Sequence, residues 1–189
     1  MLTDESEAIE RARAGDAASF GALVEAHQQV AFRTAYLVVR DAAAAEDIAQ
    51  EAFIRAYRQL RTFRAGEPFR PWLLRIVTHL SLNEVLSRTR RTGLLDRIGL
   101  FARTTAEPPH AAVAATNEST TLLRAINELA LDDRVVLYLR YFVELPEREI
   151  ATAIGKPAGT VKSRLHRASG RLRRLIEMKY PELETRTDG

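Results

Sequence analysis

Hydrophobic positions recur every three or four residues along most of the chain, with two interruptions. Phe20, Leu23, Val24, His27, Val30, Ala31, Ala35 and Val38 trace one face of an amphipathic helix of about six turns. Ala14-Gly15-Asp16 before it reads as a helix stop and a new start, with Gly at C′ and the Asp side chain as N-cap. Asp41 is placed to cap a second helix, Ala42 to about Leu60, with Ile48, Ala52, Ile54–Ala56 and Tyr57 expected inward. The segment Thr62–Phe69 breaks the pattern, and its Gly and Pro predict a loop. Pro71 suits the start of a third helix, Trp72 to about Arg91, whose apolar face is Trp72, Leu73, Ile76, Leu80 and Leu86.

From Thr92 to about Asn117 the periodicity fades into Gly93, Gly99, Pro108-Pro109 and an Ala/Thr-rich stretch. This predicts a linker with one short helix at Leu94–Phe101. Order returns with Leu122, Leu123, Ile126 and Leu129, then Val135, Val136, Leu139, Phe142 and Val143, and two further helices split at Gly155. No stretch alternates as a half-buried strand does. The expected class is all-α: two small helical domains, residues 1–92 and 119–178, a flexible linker at 93–118, and a tail at 179–189.

Composition narrows the chemistry. The 189 residues include no Cys and four His, which removes disulfides, thiolate catalysis and Cys-based zinc sites. No apolar run approaches the roughly 20 residues of a membrane span, and the acidic start MLTDESEAIERARAGD is unlike a signal peptide. A cytoplasmic protein without metal or cofactor is expected. No nucleophile–base pair or phosphate loop appears, so an enzyme is not expected. Net charge is +3, but it is unevenly spread: −4 over residues 1–60, +4 over 61–118, −2 over 119–155 and +5 over 156–189. Separate surfaces for separate partners follow, one of them polyanionic.

The clearest chemistry is C-terminal. Pro146–Ala153, a turn at Ile154-Gly155-Lys156-Pro157, and Gly159–Ile176 have the layout of a helix-turn-helix. Val161, Leu165, Ala168, Leu172 and Leu175 form one stripe of the last helix. Ser163, His166, Arg167, Gly170, Arg173 and Arg174 lie opposite, with Lys162 at the edge. Ala151–Ile176 holds seven Lys/Arg and no carboxylate. Such a helix suits the major groove: Lys162, Ser163, His166 and Arg167 are expected at bases or flanking phosphates, and Arg171 and Arg174 mainly at phosphates. The alternative is a basic solvated helix or one for an acidic partner; the turn, the stripe and the missing acids favour DNA.

Two further constellations carry less. Phe63, Phe69 and Trp72 lie near Arg64, Arg70 and Arg75, and Arg88, Arg90 and Arg91 close the third helix. Rings beside cations suit single-stranded nucleic acid, although composition alone favours Phe69 and Trp72 as core. Asp41, Glu46, Asp47, Gln50 and Glu51 form an acidic group, the last four sharing one helix face. Ile54 stands where a di-iron Glu-x-x-His repeat would need His. A protein-docking face and a plainly solvated face remain equal on spacing.

Taken together, these pieces resemble the extracytoplasmic-function group of sigma factors in the sigma-70 family of bacterial RNA polymerase subunits. The resemblance covers about Ala14–Arg91 and Leu122–Ile176. It rests on Ala14-Gly15-Asp16, on Ala45-Glu46-Asp47-Ile48-Ala49-Gln50-Glu51-Ala52-Phe53, and on Phe69-x-x-Trp72-Leu73-x-x-Ile76. It also rests on Leu129, Arg134, Leu139, Tyr141, Glu149-Ile150-Ala151 and Gly159-Thr160-Val161-Lys162-Ser163-Arg164-Leu165-x-Arg167-Ala168.

The resemblance implies a transcription-initiation factor that binds core polymerase and promoter DNA, duplex and single-stranded, and directs a specific, stress-related gene set. It assigns Asp41, Glu46, Asp47, Gln50 and Glu51 to the clamp helices of the polymerase's largest subunit. Phe63, Arg64, Gly66, Glu67 and Phe69 would hold a base flipped from the minus-ten element. Trp72, Arg75, His79 and Asn83, with Arg88, Arg90 and Arg91, would help to separate the strands. Thr160, Lys162, Ser163, Arg164, His166, Arg167, Arg171 and Arg174 would read the minus-thirty-five element, and the linker would thread toward the RNA exit path. His79, Asn83 and Glu144 depart from the group's frequent Asn, Asp and Gly, so base preferences are not carried over at the first two. No C-terminal regulatory domain is expected, which suggests restraint by an anti-sigma factor. The other readings are a regulator that binds duplex DNA without polymerase, and a helical adaptor without DNA contact.

Overall fold

The computed structural model describes residues 2–64, 66–98, 117–180 and 183, and among them every regular element is helical. The chain divides into two compact units, Met1–Glu107 and Pro108–Gly189, each with its own core. Residues 99–116 of the expected linker, the end of the short helix expected to reach Phe101, and most of the tail lie outside the described residues, whereas the last two linker positions, Asn117 and Glu118, already belong to a helix.

The first unit contains α1 (Leu2–Arg13), α2 (Ala17–Val39), α3 (Ala42–Gln59), a 3-10 turn (Leu60–Thr62) and α4 (Phe69–Ile98). Gly15, at φ +101°, ends α1, and Asp16 starts α2 by accepting from the Ala18 N–H at 3.0 Å and the Ser19 hydroxyl at 2.6 Å. Asp41 caps α3 through the Ala44 N–H at 2.9 Å. Both caps satisfy donors that the first helical turn leaves open. α2, α3 and α4 pack on one another, and α1 lies on α2 and the 3-10 turn. Ala31, Ala35, Ala45, Ala52 and Ala56 are buried where the helices approach, and Leu60, Leu73, Leu74 and Val77 fill the space between them. Each of these larger side chains contributes about 1.5–3 kcal/mol on burial.

Some expectations need correction. α4 begins at Phe69, so Pro71 falls within its first turn, and it passes Gly93 to reach Ile98. An internal Gly costs a helix only about 1 kcal/mol against Ala, too little to end it. Ile54 and Tyr57, expected inward, are each 46% exposed, and Leu86 is 51% exposed. Tyr57 instead meets Phe20 edge-on with ring centroids 4.8 Å apart.

The second unit contains α5 (Asn117–Asn127), α6 (Leu131–Tyr141), α7 (Glu147–Ile154) and α8 (Ala158–Lys179). α8 packs on α5, α6 and α7 through Val161, Leu165, Ala168 and Leu172, all buried, at spacings of four, three and four. Leu175 is only half-buried. Val135, Val136, Leu137 and Leu139 of α6 and Ile150 and Ala153 of α7 complete this core. Gly155 ends α7 in the left-handed conformation, φ +63°, its N–H returning to the last turn. Glu144, just before α7, is also left-handed at φ +60°.

Candidate nucleic-acid interface

The turn Gly155–Pro157 lets α8 leave α7 at once. No side chain caps α8 and no acid stands in its first turn, so its positive end faces outward beside exposed Lys156 and Thr160. Opposite the buried stripe, Lys162, Ser163, His166, Arg167, Arg173 and Arg174 are exposed. Ser163 turns its hydroxyl to the Thr160 carbonyl at 3.1 Å.

Two of the expected DNA contacts are engaged within the unit. Arg164 pairs with Asp132, and Arg171 pairs with Asp133, whose residue is only 6% exposed. At about 100° per residue these two arginines share one flank of α8, roughly 60–80° from the buried stripe. That flank faces the acidic first turn of α6. Lys162, His166 and Arg167 lie farther round and have no carboxylate among the described residues within ion-pair distance. Farther along, Lys179 pairs with Glu128, and the Tyr180 hydroxyl donates to Glu128 at 2.6 Å.

In the first unit, the loop after the 3-10 turn is anchored by its flanking rings. Phe63 and Phe69 are 3% and 0% exposed, and with half-buried Trp72 they form a cluster with centroids 5.0–6.0 Å apart. The rings of Phe63 and Phe69, expected at a flipped base, are therefore core anchors. What the loop presents are Arg64, Gly66 and Glu67, all exposed, with Gly66 at φ +82° and Arg64 3.8 Å from Glu67. Arg75, His79, Asn83 and Arg90 continue outward along α4, joined by Leu86, which the apolar pattern had placed inside.

Arg88 departs from that stripe. Two residues before Arg90 on the helix, it lies about 160° away, and bonds Glu84 at 2.6 Å and Asp41 at 3.4 Å. Arg91 meets the same Glu84 at 3.3 Å.

The acidic group is split in the same manner. Asp41 is occupied as cap and Arg88 partner, and the N–H from Ala44 is the main reason its carboxyl titrates below the usual range. Glu46, Asp47 and Gln50 are exposed, and Glu51 is half-buried and bonded to Arg55 at 2.6 Å. Asp47, Glu51 and Arg55 border an open groove of about 420 Å³ between α3 and α4, with Asn83 and Ser87 opposite. Ile54 lies on the same face, three residues beyond Glu51. Its i+3 and i+4 relation to Glu51 and Gln50 is the signal that could have placed it there.

Comparison with known proteins agrees with both units. The family models described as Sigma-70 region 2 and Sigma-70, region 4 match residues 23–91 and 119–172. The RNA polymerase sigma-H factor of Pseudomonas aeruginosa is 36% identical over 178 residues, covering 89% of this chain and 92% of its own. The ECF RNA polymerase sigma factor SigW of Bacillus subtilis is 31% identical over 176 residues, covering 89% and 94%. Among solved structures, the sigma factor RpoE of Bartonella quintana, in complex with the anti-sigma factor NepR, matches with a TM-score of 0.65 at 25% identity. That match covers 85% of this chain and 98% of that one. Two sigma family models matched in order, with relatives alike over nearly their whole length, settle the family: the chain belongs to the extracytoplasmic-function group of sigma-70 RNA polymerase sigma factors.

Proposed function

We propose that this sigma factor divides its work among three surfaces, each built from the side chains that the two units leave uncommitted. The observation that carries the assignment is the contrast on α8. Arg164 and Arg171 are consumed by Asp132 and Asp133, whereas Lys162, His166, Arg167, Arg173 and Arg174 face solvent together. That outward face reads the minus-thirty-five element, with Lys162 and Arg167 at base edges or their phosphates and Arg173 and Arg174 at the backbone.

In the first unit, Arg64, Gly66 and Glu67 present the flipped minus-ten base, and Arg75, His79, Asn83 and Arg90 follow the separated strand along α4. The cost of flipping a base, a few kcal/mol, is offset by contacts made only after melting. Glu46, Asp47, Gln50 and Glu51, with Ile54 as an apolar centre, dock on the basic clamp helices of core polymerase. The chain acts by binding alone and in the cytoplasm, and the phosphodiester chemistry is the polymerase's. Among the described residues no helix is long and apolar enough to cross a membrane. The Bartonella relative is in complex with an anti-sigma factor, which supports an inhibitor of that kind for this chain as well.

Selection from a random duplex pool tests the reading. Two enriched sequence blocks at a fixed spacing, recovered only when core polymerase is present, support it. A single block recovered by the chain alone contradicts it.

A further inference from the structure

Helix α1 grips both ends of the loop between the 3-10 turn and α4. At its C-terminal end, the Arg13 guanidinium donates to the Arg61 carbonyl at 3.3 Å, and is steadied by Glu10 at 2.9 Å. Arg61 belongs to the turn that feeds the loop. About two turns earlier on α1, Glu5 accepts from the Phe69 N–H at 3.3 Å, and Phe69 is the first residue after the loop. The other Glu5 oxygen lies 3.4 Å from Nε2 of buried His27. The His27 ring in turn packs 5.3 Å from that of Phe69. The two backbone bonds join residues 48 and 64 apart in sequence, so neither follows from local helix geometry.

The second bond answers a need of α4. Its first turn contains no acid, includes the cation Arg70, and spends one position on Pro71, which has no N–H. A carboxylate at that end satisfies an open donor and suits the helix dipole. Glu5 supplies it from another helix. Both stems of the loop are thereby fixed, while Arg64, Gly66 and Glu67 between them remain exposed.

We infer that α1 is a clamp for the strand-binding loop, with Glu5 and Arg13 as positioning residues that preset its stems for a flipped base. The inference rests on the assignment of that loop to the minus-ten element. Neither residue touches the base; both act through the backbone. Fixing the loop beforehand removes an ordering cost from strand binding.

The test uses holoenzyme assembled from core polymerase and the full chain. The probe is a single-stranded oligonucleotide that wild-type holoenzyme enriches from a random pool. The double variant Glu5→Ala/Arg13→Ala should bind that strand roughly tenfold more weakly, with unchanged affinity for core and faster amide exchange at Phe63 and Phe69. Glu5→Gln, which keeps an acceptor for the Phe69 N–H, should bind more tightly than Glu5→Ala. Wild-type affinity in the double variant despite faster exchange would overturn the clamp alone. Failure of wild-type holoenzyme to enrich any strand would remove the loop assignment, and the clamp with it. Should the double variant not fold, Arg13→Ala alone carries the test, because that bond is exposed; weaker strand binding supports the clamp and unchanged binding rejects it.

Discussion

Arg171 of α8 pairs with the buried carboxylate of Asp133 on α6, whereas Arg167, four residues earlier, projects into solvent. One turn of helix thus separates a cation that holds the unit together from one that is available to a partner. Removing Arg171 leaves Asp133 buried without its cation. Arg171→Ala should cost on the order of 1–3 kcal/mol, allowing for the solvent exposure of the arginine. Hydrogen exchange across α6 and α8 reads this. Arg167→Ala should change stability by less than about 0.5 kcal/mol yet weaken minus-thirty-five binding by about 1–3 kcal/mol. Equal effects of the two substitutions on stability and DNA would refute this division.

Asp41 offers the same separation in the first unit. Its carboxylate caps α3 through Ala44 and meets Arg88. Asp41→Ala should lower stability by about 1 kcal/mol, as loss of an N-cap does, and Asp41→Asn, which can still cap, should recover most of it. Thermal unfolding distinguishes the two. A variant with full stability would release Asp41 to the docking face.

His27 gives a pH dependence with a defined sign. Burial pushes its pKa below the ordinary histidine value and Arg70 adds to this, while Glu5 opposes them without prevailing. The folded state therefore takes up a proton less readily than the unfolded chain. The stability linked to this residue is fully present above the unfolded pKa of about 6.5, and is lost as pH falls from there toward the lower folded value. Urea midpoints between pH 7.5 and 5.5 should decline in wild type, and the decline should be shallower in His27→Gln. Parallel profiles would show that His27 does not contribute.

Glu144 sits at φ +60°, where a side chain crowds its own backbone. Glu144→Gly should stabilise the second unit by roughly 0.5–1 kcal/mol, the relief of strain exceeding the added freedom of the unfolded chain. Glu144→Ala should bring no such gain. A destabilised Gly variant would mean that the carboxylate itself matters there.

What the sequence made legible was local. The stop and cap at Gly15 and Asp16, the cap at Asp41, the break at Gly155 and the buried stripe of α8 from Val161 to Leu172 all depend on neighbours within a turn or two. Each is present in the structure. Ile54 and Leu86 were misplaced because periodicity identifies an apolar residue without saying whether a neighbouring helix covers it. Arg88 was grouped with Arg90 and Arg91 by sequence proximity, although two positions on a helix point to nearly opposite sides. The Glu5–Phe69 and Arg171–Asp133 pairs were beyond reach, since each joins separate elements. Phe63 and Phe69 show the limit most clearly: the motif marks the loop, but only packing shows that its rings face the core.

The central claim is that the outward face of α3 recruits core polymerase. Co-elution of the full chain with bacterial core enzyme tests it most directly, comparing wild type with Glu46→Lys/Asp47→Lys/Glu51→Lys. Helical content by circular dichroism should stay unchanged because Glu46 and Asp47 are exposed and Glu51 bonds across the surface to Arg55. The account predicts that wild type co-elutes and the triple variant, equally folded, elutes alone. Co-elution of the folded triple variant to the same extent as wild type would contradict it.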